Sequence, residues 1–275
     1  MPFPAPAIYP SLRDKTVVIS GGTNGIGAAT VTLFALQGSQ VIFLDISKEA
    51  AEQTVEQVIS HTRDSEQQPW GPPVKPRIFY HCDLTDLSAL QSTAARILDE
   101  HGPIHVLVNN AAATSSSARM PTETVTPSDW DFSVNANLRH VFFLSQAFIP
   151  AMKHAGGGSI VNLGSISWRI PAADGQAVYA ACKAAIMGLT RVQSKEVGDA
   201  NIRINSVMPG AIATQRQREE VLTPEYRAEV FAAQSLKRDL VPEDVAKVIV
   251  FLGSEEASGV TGSTYVVDGG WVSDP

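Results

Sequence analysis

The stretch Ser20-Gly21-Gly22-Thr23-Asn24-Gly25-Ile26-Gly27 constrains the fold more than any other, because of what stands on either side of it. Before it lies TVVIS (16–20), a β-branched run of strand length; after it lies IGAATVTLFALQG, an apolar run of helix length. A strand, a glycine turn and a helix in that order form the opening of a nucleotide-binding unit. Glycines let the backbone approach a pyrophosphate closely, and the helix N-terminus offers free N–H groups and the positive end of its dipole. Gly21, Thr23, Asn24, Gly25 and Ile26 are therefore candidate cofactor-binding residues.

The remaining chain repeats the alternation. Strand-like runs stand at VIFLD (41–45), RIFYHC (77–82), IHVLVNNA (104–111), SIVNLG (159–164), IRINSVM (202–208) and TYVVD (264–268), with helix-like segments between them. Thr126 followed by Pro127 predicts a helix start, with the helix running to about Met152, and a second long helix covers VYAACKAAIMGLTRVQSKEVG (178–198). Residues 63–76 are rich in proline and are expected to be an exposed loop. The polar stretch 211–241 is expected to hold one helix around Pro224 to Ser235, and a further helix begins at Pro242. Strands separated by helices throughout predict an α/β architecture: a single doubly wound Rossmann-type domain whose parallel sheet has about seven strands flanked by helices. That domain is assigned to residues 15–275. Residues 1–14, with four prolines in the first dozen, are read as an arm that frays or drapes over a neighbour.

Composition narrows the function classes. The chain has 275 residues, 44% of them hydrophobic and 18% charged, which is the composition of an ordinary globular protein. A net charge of −7 argues against a general nucleic-acid or anionic-membrane surface. No signal peptide is legible, and no apolar run approaches the ~18 residues of a membrane helix. Cys82 and Cys182 lack CxxC spacing, so they are read as reduced packing thiols in a cytoplasmic compartment, and no metal site is expected.

Asp45 ends the second strand 24 residues beyond Gly21. A carboxylate there can accept from the adenosine ribose hydroxyls, and it repels a 2′-phosphate. Asn24 and Ile46 fill places where a basic side chain would attract that phosphate, so NAD is expected over NADP. Tyr179 and Lys183 are four residues apart and share one face if their segment is helical. A free tyrosine titrates near ~10, so acid/base work near neutrality needs its anion stabilised, and a fixed ammonium has the right sign.

With these blocks in place the chain resembles the short-chain dehydrogenase/reductases from about Lys15 to Trp271. The resemblance is carried by SGGTNGIG, CDLTD (82–86), NNAA (109–112), NANL (135–138), GSIS (164–167), YAACK (179–183), PGAIAT (209–214) and TYVVDGG. It implies that Asp83 and Leu84 flank the adenine and that Asn110 and Ala111 line the adenosine ribose side. Pro209, Gly210, Ile212 and Thr214 fall in a cofactor-binding block, with Ile212 and Thr214 meeting the carboxamide. Asn137 would hold a catalytic helix and a relay water, Ser165 would bind the substrate oxygen, and Tyr179 would be the acid/base. Lys183 would hold the nicotinamide ribose while lowering the tyrosine pKa. Ser20 stands for the usual Thr and Ala112 for the more usual Gly. Ser165 lies 14 residues before Tyr179, one more than is common, and Ser167 offers a second hydroxyl.

The implied reaction is hydride transfer between NAD and a secondary alcohol/ketone pair. The alternatives are an NAD-responsive binding protein without catalysis, or dehydration or epimerisation with a retained cofactor. Trp168 and Ile170 suggest an apolar substrate wall, whereas Thr114 to Ser117 and Arg119 suit a polyol, so sugar and cyclic alcohols both stay open. Partners are a small-molecule substrate and further copies of the chain, since the resemblance implies a homotetramer or homodimer.

Overall fold

A computed structural model describes residues 7–66, 75, 77–113, 120–170 and 175–272. Among the described residues, seven strands form one sheet: β1 (Thr16–Ser20), β2 (Gln40–Asp45), β3 (Ile78–His81), β4 (Val106–Asn109), β5 (Gly158–Leu163), β6 (Ile202–Pro209) and β7 (Thr264–Val267). Their order is β3-β2-β1-β4-β5-β6-β7 and every pairing is parallel. Parallel pairing forces a crossover between neighbours, and the helices supply it.

The strand side chains divide between two cores at period two. Val17, Ile19, Val41, Phe43, Val106 and Val108 join the core under α1 (Gly25–Leu36) and α9 (Pro242–Gly253). Val18, Ile42, Leu44, Leu107 and Ile160 point the other way, into the core under α3 (Leu87–His101) and α5 (His140–His154). All of these are essentially inaccessible to water. That explains why the strands read as continuous apolar runs rather than alternating ones. At about 2 kcal/mol for each fully buried aliphatic side chain, the central strands fix the register firmly.

The chain reverses direction across the sheet between β1 and β4, with β2 and β3 on one side and β5 to β7 on the other. A crevice opens at such a switch point, beyond the carboxyl ends of the strands. The glycine turn follows β1, and α1 starts at Gly25.

Four expectations need correction or refinement. Helix α2 (Lys48–Glu66) runs through the first residues of the expected 63–76 loop, while most of the rest of that loop lies outside the described residues. The helix expected from Thr126 does begin there: Thr126 Oγ1 accepts from Asp129 N, and Asp129 returns the bond to Thr126 N. It is not uniform, because α4 (Pro127–Val134) passes into a π-helical segment, Asn135–Arg139, before α5 resumes. The stretch 211–241 holds two helices, α7 (Gln215–Glu220) and α8 (Pro224–Ala233), where one was expected. Thr214 caps the extra one by accepting from Gln217 N. The described part of the N-terminal arm packs on its own chain: Leu12 is buried, and Gln37 bonds both Tyr9 N and the Ala7 carbonyl.

Candidate active site

The glycine turn is shaped by its neighbours. Gly21 has φ +67°, and a Cβ there would lie 2.7 Å from Ala111 Cα. A Cβ on Gly27 would lie 1.8 Å from the Gly21 carbonyl oxygen, so α1 can start against this turn only because that side chain is missing. The result is a backbone cradle at a helix N-terminus, which suits the pyrophosphate of a dinucleotide.

Side chains beneath the cradle hold it in place. Ser20 Oγ is fully buried and accepts from both Asn110 N (3.0 Å) and Ala111 N (3.1 Å). One hydroxyl thus locks the exit of β4 to the end of β1, and serine supplies it as well as threonine would. Asn110 Nδ2 donates to the Ser20 and Gly21 carbonyls at 3.1 and 2.8 Å. Asp45 Oδ2 accepts from Thr23 Oγ1 (2.6 Å) and Thr23 N (3.2 Å), and its Oδ1 accepts from Ile46 N. The carboxylate is therefore fixed at the mouth of the cleft while keeping unused lone pairs. Asp83 anchors the next turn by accepting from Thr85 N and Thr85 Oγ1, and Leu84 packs beneath it.

Tyr179 and Lys183 lie in α6 (Ala177–Val197), one turn apart, and the lysine Nζ sits 5.7 Å from the tyrosine ring centroid. Lys183 is only 2% exposed, and its Nζ donates to the Leu163 carbonyl at 2.8 Å. Burial pushes its pKa down to about 8, so the ammonium is still the majority form at neutral pH. Ser165 follows β5 and accepts from Ser167 N, which occupies a lone pair and leaves its O–H free to donate. Ser167 Oγ is buried and has no hydrogen-bond partner among the described residues.

Asn137 falls in the π-helical segment and is fully buried. Its Oδ1 accepts from Ala113 N at 3.0 Å, and its Nδ2 donates to the Ser133 carbonyl at 3.0 Å. A wide turn of this kind often marks a functional position, since it displaces one residue from the helical register. On the far side of the cleft, Gly210 N donates to the Val267 carbonyl. Asp268 accepts from Gly270 N and Val272 N, which holds the Pro209–Gly210 turn against the chain's last glycines.

These groups line one cleft of about 1680 Å³. Gly21, Thr23, Asn24, Gly25, Ile26, Asp45, Asp83, Leu84, Asn110 and Ala111 line it at or just after the ends of β1 to β4, and Ser165, Tyr179, Lys183, Pro209, Gly210, Ile212 and Thr214 line it at or just after the ends of β5 and β6 and from α6. The two groups meet where a Cβ on Gly25 would lie 2.9 Å from Thr214 Cγ2. Asn137 is behind the wall, and its neighbour Ala136 lines the surface instead. Ile170 faces the cleft, but Thr114 to Ser117 and Arg119 lie outside the described residues. Gln176, Glu229 and Trp271 also line it, with no motif to announce them.

Sequence reasoning also passed over His140. Its ring is fully buried, and the Ala111 and Ala136 backbone carbonyls face it outside bonding geometry. Burial, with help from the Lys183 charge, pushes its pKa down to about 3, so it is a neutral imidazole behind the site. The two cysteines are free and buried.

A cleft of this build, over the switch point of a parallel sheet and with a fixed cationic lysine at one end, defines a dinucleotide-binding α/β enzyme. A family model described as enoyl-(acyl carrier protein) reductase matches residues 21–272. D-xylose 1-dehydrogenase of Caulobacter vibrioides is 43% identical over 265 residues, covering 96% of this chain and 98% of that one. A probable galactose dehydrogenase of Rhizobium meliloti is 39% identical over 95% of this chain and 96% of its own. A solved 7α-hydroxysteroid dehydrogenase, in complex with NADH and 7-oxo glycochenodeoxycholic acid, superposes with a TM-score of 0.83 at 30% identity, covering 96% of this chain and 97% of that one. The chain belongs to the short-chain dehydrogenase/reductase family, and it is an oxidoreductase acting on alcohols.

Proposed function

We propose that the protein, with residues 15–275 as one catalytic unit, oxidises a ring hydroxyl of a monosaccharide reversibly with NAD. The observation that carries this reading is that Tyr179, Lys183 and Ser165 line the same cleft as the fixed carboxylate of Asp45. The glycine cradle suits a pyrophosphate because Gly27, lacking a Cβ, lets the N-terminus of α1 close on the Gly21 carbonyl and present its free N–H groups there. Asp45, Asp83 and Asn110 suit the adenosine half, while Lys183, Ile212 and Thr214 suit the nicotinamide half. A nicotinamide held there would supply a hydride acceptor for the carbon that bears the reacting oxygen.

The chain's own residues handle that oxygen. Tyr179, as phenolate, takes the hydroxyl proton. Ser165 donates its free O–H to the same oxygen and holds it in line. Lys183 brings a positive charge beside the Tyr179 ring, with its Nζ 5.7 Å from the ring centroid, which stabilises the anion on which proton abstraction depends. Asn137 braces the wall by holding Ala113 N, and Leu163 holds the lysine from behind.

The likeness to D-xylose 1-dehydrogenase and to a probable galactose dehydrogenase supports a sugar. So do the amide of Gln176, the carboxylate of Glu229 and the indole of Trp271, group types that pair with vicinal hydroxyls and cover a sugar ring. NAD is favoured because a 2′-phosphate would meet Asp45, and a like-charge contact of that kind costs several kcal/mol. Ala185, Gly188 and Val192 lie exposed along α6, with Val192 59% accessible, which supports assembly into a homodimer or homotetramer. Among the described residues no helix is long and apolar enough to cross a membrane. The two reduced thiols suit the cytoplasm.

Steady-state rates with D-xylose, D-galactose and cyclopentanol, each with NAD and with NADP, test the reading. A sugar should give the highest kcat/KM, with NAD preferred by at least about tenfold. Preference for cyclopentanol, or for NADP, would contradict it.

A further inference from the structure

We propose that Arg139 is a positioning residue that sets the adenine wall of the cleft from a distance; this rests on the dinucleotide reading above. Arg139 closes the π-helical segment that also carries Asn137. The two side chains leave that segment toward different loops. Asn137 Oδ1 holds Ala113 N in the loop after β4, while Arg139 Nη2 donates to the Thr85 carbonyl in the loop after β3. A regular helix separates positions i and i+2 by about 200°, and the wider π turn gives each a separate route to its loop.

The loop it reaches forms the wall at the adenosine end. Cys82, Asp83, Leu84 and Thr85 all line the cleft there. Asp83 closes the turn from one side by accepting from Thr85 N and Thr85 Oγ1, at 2.8 and 2.7 Å. Asp86 closes it from the other by capping α3 through Ser88 N and Ala89 N. The Thr85 carbonyl points out of this closed turn and is taken by the guanidinium. Arg139 also helps hold the Asp86 carboxyl below its usual range, after the α3 backbone bonds that dominate. A half-buried guanidinium in a charge-assisted bond is a stronger brace than a neutral one. Arg139 does not line the cleft itself, so its effect on a ligand passes through residues 83–85.

The variants Arg139→Ala and Arg139→Lys test this. ADP-ribose binding is measured by calorimetry, NAD kinetics at saturating substrate, and stability by urea unfolding. In the alanine variant the Kd for ADP-ribose and the KM for NAD should both rise on the order of tenfold, while kcat stays within about twofold. The lysine variant keeps a donor and should recover part of the affinity, and it serves as the folded comparison if the alanine variant unfolds. Unchanged ADP-ribose affinity in both variants would overturn the proposal. So would a fall in kcat matching the loss of affinity, which would assign Arg139 to the chemical step. Wild-type protein that fails to bind ADP-ribose would overturn the dinucleotide reading instead.

Discussion

Around the glycine turn, buried and half-buried side chains hold backbone groups in fixed places: Ser20 accepts from two N–H groups, Asn110 donates to two carbonyls and Asp45 holds the turn at Thr23. At the wall proposed for the substrate, side chains line the cleft from loops and helices, Ser167, Gln176, Glu229 and Trp271 among them, and the Ser167 hydroxyl has no partner among the described residues. The first arrangement is decided by backbone geometry and suits any ligand with a pyrophosphate on the reading proposed above. The second is decided by which side chains happen to face inward. An enzyme built this way can change its substrate without disturbing its cofactor.

Lys183, buried under the catalytic wall, gives the largest expected effect on stability. Its pKa is about 8 when folded and 10.5 when free, so between those values the unfolded chain binds more protons than the folded one. Stability therefore rises with pH through that window, and the gain is lost again as pH falls through 8. The gap corresponds to about 3 kcal/mol. Urea unfolding of the cofactor-free protein at pH 7.5 and 10.5, compared with Lys183→Met, should show the wild type gaining about that much relative to the variant. Parallel pH profiles would mean that the lysine is solvated.

The cofactor end can be broken with one methyl group. Gly27→Ala forces the turn away from Gly21 and should cost about 2 kcal/mol of stability, with NAD affinity falling further than stability does. Calorimetry alongside urea unfolding separates the two losses. The substrate end should be forgiving by contrast. Ser167→Ala removes a buried hydroxyl with no partner among the described residues, so urea unfolding should find the variant unchanged or more stable by under about 1 kcal/mol. A large destabilisation would show that the two ends are equally wired.

The same contrast explains what the chain disclosed in advance. The parallel sheet was legible because its strands are apolar on both faces, and Gly21 to Gly27 because a close backbone approach demands glycine. Asn110 and Asp45 could be read at strand ends by position. The π-helical turn could not, since Asn135 to Arg139 hold no glycine or proline that would break an ordinary helix, and the bonds to Ala113 and Thr85 that accompany the widening are made far along the chain. His140 was hidden for a related reason, because burial of a lone histidine has no local pattern. Gln176 and Trp271 reach the cleft through the fold alone.

The account turns on Tyr179 moving the proton of an alcohol while the cofactor is held elsewhere. Tyr179→Phe keeps the ring and removes only the phenolic oxygen. NADH formation with D-xylose at saturating NAD should fall by about 10³-fold or more, with the Kd for NAD changing by less than about threefold. Turnover within tenfold of wild type would contradict the account.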